Sequence, residues 1–139
     1  MLSHYSPYKV AEVFRSLEAF FPGRIDLGVG RAPGGAEQST MALAYPNYPA
    51  EPQHFPYLLE ALTGFIDERT PENSPFAGLQ TTPNGVGQPE IWTLGSSDGS
   101  IELAGTMGLG FVLALFIGTH ERPADIIQRY RKMFRPRPN

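Results

Sequence analysis

Two glycine-rich stretches hold the residues whose types and spacing could do chemistry. The first is Gly28-Val29-Gly30-Arg31-Ala32-Pro33-Gly34-Gly35, delivered by the apolar positions Ile25, Leu27 and Val29. A strand that carries a cation into a glycine-rich loop suits an anion. Arginine offers bidentate, charge-assisted hydrogen bonds, and glycine lets the ligand approach the backbone. The second is Gly95-Ser96-Ser97-Asp98-Gly99-Ser100, where a strand over 90–94 gives way to a helix. There backbone N–H groups and hydroxyls face an incoming anion at the positive helix end. Each stretch also has a plainer reading: Arg31 as a surface charge on a βα turn, and Ser97 or Asp98 as an ordinary helix cap. Taken singly, each favours the plainer reading. Two of them at the carboxyl ends of neighbouring parallel strands shift the balance, because parallel α/β folds bind ligands there.

Other chemistries are excluded or unsupported. Pro33 occupies the third glycine position of a dinucleotide fingerprint, and there is no phosphate loop ending in Gly-Lys-Ser/Thr. No serine sits in a G-x-S-x-G elbow, and no carboxylate pair is placed for acid–base work, so catalytic residues stay unknown. His4, His54 and His120 lack metal-ligand spacing, and no metal is expected. The chain has no cysteine, which removes disulfides and thiolate chemistry and fits a cytoplasmic protein. A net charge of -3 argues against nucleic acid as partner. The basic residues cluster late (Arg122, Arg129, Arg131, Lys132, Arg135, Arg137), as on a solvated helix face with a frayed tail. The apolar run Leu109 to Ile117 is too short to cross a bilayer, which needs about 20 residues, and nothing reads as a signal peptide.

The elements that must position these loops alternate between helix and strand. Val10, Val13, Phe14, Leu17, Phe20 and Phe21 form one apolar helical stripe, stopped by Pro22-Gly23. A strand over 25–30 follows, then a Pro- and Tyr-rich loop over 45–56. A second stripe comes from Phe55, Leu58, Leu59, Leu62, Phe65 and Ile66. The segment 70–89 reads as a loop. After the strand at 90–94 come a short helix (Ile101, Leu103, Ala104, Met107) and an all-apolar strand over 110–117, as covered on both faces. A last helix opens at Pro123, with Ile126, Ile127, Tyr130, Met133 and Phe134 inward. The first residues read as the tail of a further strand. This order means α/β with a parallel sheet, in one domain over 1–139.

Several of these segments, in order, resemble the bacterial luciferase-like, flavin-dependent monooxygenase family. They are His4-Tyr5-Ser6-Pro7 with Lys9-Val10-Ala11-Glu12, Leu17-Glu18-Ala19, and Phe21-Pro22-Gly23-Arg24-Ile25-Asp26-Leu27-Gly28 leading into Gly30-Arg31-Ala32-Pro33-Gly34. Pro89-Glu90-Ile91-Trp92-Thr93-Leu94-Gly95-Ser96-Ser97 and Ser100 complete the pattern. The resemblance implies a partial (β/α)8 TIM-barrel fragment with three to four parallel strands and flanking helices. It implies reduced FMN as cofactor, supplied by a separate reductase. By position, Arg31 would hold the FMN phosphate, Ser97 and Ser100 would complete that site, and Gly95 and Ser96 would lie beside the flavin.

Departures from the family pattern bear on activity. A complete barrel takes about 250 residues. The family's first strands, with their histidine-containing catalytic region, and its last strands have no counterpart here. Leu115 and Phe116 stand where many relatives place two histidines. Three functions stay open: a truncated or split monooxygenase, a non-catalytic flavin- or phosphate-binding module, and a ligand-free remnant held by self-association. Open sheet edges and an uncovered inner face, with Leu27, Val29, Leu113 and Leu115 as candidates to line it, predict a homo-oligomer or a complementing half-barrel chain.

Overall fold

The computed structural model describes residues 1–32, 35–116 and 123–137. The expected turn at Pro33-Gly34, the strand end at Ile117, and His120 and Arg122 lie outside the described residues. The elements are α1 (Pro7–Phe20), β1 (Asp26–Gly30), α2 (Glu37–Ala44), α3 (Phe55–Ile66), β2 (Glu90–Gly95), α4 (Asp98–Thr106), β3 (Gly110–Leu113) and α5 (Pro123–Met133). Short 3-10 turns cover Leu2–His4 and Pro52–His54. The opening residues are therefore a turn, not a strand tail. The chain divides into two compact units: residues 1–25 with 31–89, and residues 26–30 with 90–139.

In the first unit, α1 begins after an extended Ser6 with proline at its first position, where the missing N–H costs nothing. It pairs with α3, whose stripe behaves as the sequence predicts: Phe55, Leu59, Leu62, Phe65 and Ile66 are all buried. The α1 stripe does not. Ala11, Arg15 and Glu18 are buried, while Val13, Phe20 and Phe21 are exposed. The buried set lies one residue on from the predicted one, about 100° around the helix.

The buried polar side chains show why. The Arg15 guanidinium donates to the Ile66 carbonyl (2.7 Å) and the Pro83 carbonyl (2.8 Å), and pairs with Glu68 (2.5 Å). Glu18 accepts from the Gly23 N–H at 2.6 Å, and the Tyr8 hydroxyl donates to the Gln80 carbonyl. The polar face of α1 thus supplies donors to the Gln80 and Pro83 carbonyls of the long 67–89 loop, which contains no helix or strand.

The second unit is a parallel sheet in the order β1-β2-β3. Register pairs Leu27 with Ile91, Val29 with Thr93, and Thr93 with Phe111. Leu27, Val29, Ile91 and Thr93 are buried, and α4 and α5 pack against the sheet. Phe111 meets Tyr130 of α5 at 5.6 Å, and the Tyr130 hydroxyl donates to the Leu109 carbonyl. Helices α4 and α5 approach closely at Gly105, where a Cβ would lie 3.0 Å from that of Met133.

The alternate positions, Gly28, Gly30, Trp92, Leu94, Gly110 and Val112, share the other face. Leu94 is 40% and Val112 45% exposed. The sheet does have an open apolar face, but Leu27 and Val29 do not line it. Side chains in a strand alternate, so a shift of one position exchanges the faces. β3 ends at Leu113, half-buried, and Leu115 beyond it is exposed. The expectation of a strand covered on both faces is likewise corrected, since Val112 is open.

Candidate functional site

The junction of β2 and α4 carries most of the predicted site residues. β2 ends at Gly95, Ser96 links, and α4 starts at Asp98 behind an N-cap at Ser97. Ser97 has extended backbone, and its Oγ accepts from the Ser100 N–H. The Ser97 and Ser100 hydroxyls lie 3.0 Å apart, both half-buried. Ser97, rather than Asp98, is thus the cap. A Cβ at Gly95 would collide with the Ser100 side chain, so glycine is what lets the helix start fold this close to the strand end.

A helix leaves its first N–H groups without intrahelical acceptors. In α4 the Ser97 cap serves Ser100, and Ile101 N–H reaches the Ser97 carbonyl. The amides of Asp98 and Gly99 are the first-turn donors left over. A Cβ at Gly99 would meet nothing within 4 Å, so the space in front of this turn is open. Two amides and the one hydroxyl proton not spent between Ser97 and Ser100 form a donor set at a positive helix end that suits an anion such as a phosphate.

Asp98 adds a carboxylate at this end, and Arg129 of α5 binds it at 2.8 Å. The sequence reading of the late arginines as a solvated face did not foresee this pairing. A helix that places residue 129 over the α4 start is visible only in three dimensions.

Arg31 is exposed and immediately follows β1, whose last residue pairs with Leu94 of β2. Gly95 and Ser96 are half-buried at the end of β2. Leu115 and Phe116 are 61% and 78% exposed. Among the described residues no three His, Asp or Glu side chains group to hold a metal ion. No described helix is long and apolar enough to cross a membrane.

His4 is buried, and its Nδ1 has no hydrogen-bond partner among the described residues. Burial, with a smaller contribution from the N-terminal ammonium, lowers its pKa below the ordinary 6.5. His54 is exposed. Burial also raises the Tyr130 pKa.

Comparison with known proteins places this geometry. The model for luciferase-like monooxygenases matches residues 1–138. The chain is 42% identical over 134 residues to the N-acetyl-S-alkylcysteine monooxygenase of Bacillus subtilis, covering 96% of this chain and 39% of that protein. It is 35% identical to the luciferase-like monooxygenase of Escherichia coli K12, covering 98% of this chain and 39% of the relative. The crystal structure of apo-MsnO8 superposes with a TM-score of 0.79 at 38% identity, over 100% of this chain and 40% of that one. The parallel sheet and its helices are thus an α/β arrangement shared with part of that larger fold. The chain spans about two-fifths of the length of these relatives, and it belongs to the luciferase-like monooxygenase family.

Proposed function

We propose that this chain forms the flavin-phosphate half of an FMN-dependent monooxygenase barrel, acting on a small organic substrate in the cytoplasm. The observation that carries the reading is the β2–α4 junction: the unclaimed amides of Asp98 and Gly99 beside the paired hydroxyls of Ser97 and Ser100. One of the Ser97 and Ser100 hydroxyls donates to the other, which leaves one hydroxyl proton for a phosphate oxygen while Ser97 Oγ still accepts from the Ser100 N–H. The family resemblance sets Gly95 and Ser96, at the end of β2, beside the flavin. The family resemblance assigns Arg31 to the same phosphate, as a charge-assisted donor.

Reduced FMN, when bound, supplies the electron pair with which dioxygen gives one oxygen atom to the substrate and one to water. This chain's residues bind and orient; no side chain here is assigned as acid, base or nucleophile. Strands outside this chain would contribute the substrate pocket and cover the open face of Leu94 and Val112. They would come from a continuation of the polypeptide or from a complementing chain. The isolated chain is then a flavin- or phosphate-binding module without turnover. The thioether substrate class named for the Bacillus subtilis relative is the first to test with a completed barrel.

The test is a calorimetric titration with FMN. Saturable binding that weakens in inorganic phosphate supports the site, and Arg31→Ala should then cost about 1.5–3 kcal/mol of affinity. No binding at high micromolar FMN would sink the module reading and leave a fragment that binds nothing alone. Retained affinity in Arg31→Ala would remove Arg31 from the site.

A further inference from the structure

The segment 81–89 is anchored at both ends and open between them. Thr81 and Pro89 are fully buried, and the Pro83 carbonyl accepts from Arg15 Nε (3.2 Å) and Nη2 (2.8 Å). Between these anchors Asn84 and Gly85 are exposed. An asparagine followed by glycine is prone to cyclise, because glycine puts no side chain in the path of its own amide nitrogen. The described asparagines, Asn47, Asn73 and Asn84, differ in what guards that nitrogen. After Asn73, the Ser74 N–H is held in a turn by the Pro71 carbonyl at 2.9 Å. After Asn47 comes the bulky Tyr48. After Asn84, the Gly85 N–H has no hydrogen bond among the described residues, and a Cβ at Gly85 would meet nothing within 4 Å. Gly85 adopts φ +68°, a turn conformation, and no helix or strand ladder resists its movement. The Asn84 amide makes one long surface bond, from Nδ2 to Gln80 Oε1 at 3.3 Å.

We propose that Asn84 is a self-modifying site, at which the folded chain converts asparagine to aspartate and isoaspartate. The Gly85 nitrogen loses its proton to water or hydroxide and attacks Asn84 Cγ. The new C–N bond closes a succinimide ring as the Cγ–Nδ2 bond breaks, and Nδ2 takes a proton from solvent and leaves as ammonia. Water then opens the ring at either carbonyl. One opening restores the main chain as aspartate, and the other routes it through the side chain as isoaspartate. The balance is one water consumed and one ammonia released, with no change of oxidation state. Both products place a new carboxylate at residue 84. Isoaspartate also adds a methylene to the main chain, in the residue next to the carbonyl that Arg15 grips. Because buried Pro89 fixes the far end, the extra length strains the segment at Pro83 and loosens its hold on α1. This chemistry is independent of flavin binding and of the open sheet face.

The test is to age the purified chain in mildly alkaline buffer at physiological temperature and map the products by peptide mass spectrometry. Isoaspartate is scored by methyl transfer from an isoaspartyl methyltransferase. Asn84 should convert in the folded chain about as fast as in the urea-unfolded chain, with ammonia released in step. Asn73 should convert only in urea, where the turn bond at Ser74 is gone. Asn84→Gln, a conservative change at an exposed position, should abolish ammonia release by the folded chain, which aspartate isomerisation cannot supply. An aged sample should melt at a lower temperature than a fresh one, and aged Asn84→Gln should not. Asn84 left intact in the folded chain while it converts in urea would overturn the proposal, by showing that the loop is too rigid to close the ring. Conversion with no fall in melting temperature would overturn the coupling to Arg15.

Discussion

Arg15 is a fully buried cation whose partners are mostly backbone carbonyls. Truncating it leaves the Ile66 and Pro83 carbonyls without their donor, at about 1–3 kcal/mol for each buried group. Arg15→Ala should therefore lower the free energy of unfolding by about 3 kcal/mol in urea titration. Arg15→Lys should recover only part of this, since one ammonium cannot reproduce the planar fork. Retention of full stability in Arg15→Ala would show that water replaces the guanidinium. His4 gives a prediction with a sign. Its folded pKa is depressed, so in acid the unfolded chain binds more protons than the folded one. Stability should fall as pH drops below 6.5 and level off once pH passes the folded pKa. His4→Gln should remove that component of the pH dependence of thermal unfolding.

At the level of elements, the start of α4 and the face of β3 depend on local fit. Ser97→Ala removes the side-chain cap and should cost about 1 kcal/mol of stability. Loss of FMN affinity beyond that expected from the cap would separate a ligand role from a structural one. At Gly110 a Cβ would overlap the indole ring of Trp92, its cross-strand partner. Gly110→Ala should shift the tryptophan fluorescence and lower the melting temperature. An unchanged spectrum would mean that the ring has room to move. Helix periodicity located α1 and α3 correctly, but only α3 buries its apolar stripe. Periodicity finds the stripe of a helix; what that stripe faces depends on its neighbours. α2 escaped the sequence reading for a related reason: with no buried residue, it has no apolar stripe to announce it.

For the whole molecule, the open sheet face matters most. Leu94 and Val112 present apolar surface to solvent, and the chain spans only about two-fifths of the relatives' length. Leu94→Lys and Val112→Lys should reduce binding of a hydrophobic fluorescent dye while changing stability by no more than about 0.5 kcal/mol. A large loss of stability instead would show that these side chains already pack within this chain.

The sequence by itself determined the family, the βαβ order, and the helix cap within Gly95 to Ser100, because motif, period and turn residues are local properties. It also marked β1 and β2 to within a residue or so. Tertiary structure decided the rest. Which face of β1 is buried turns on a single-residue alternation, and which face of α1 is buried turns on a loop 50 or more residues away that needs its carbonyls satisfied by Arg15. The Asp98–Arg129 pair, likewise, joins residues far apart in the chain that only the packing of α4 on α5 brings within reach. Apolar patterning fixes what can be buried; the competing demand of buried polar groups for partners fixes what is.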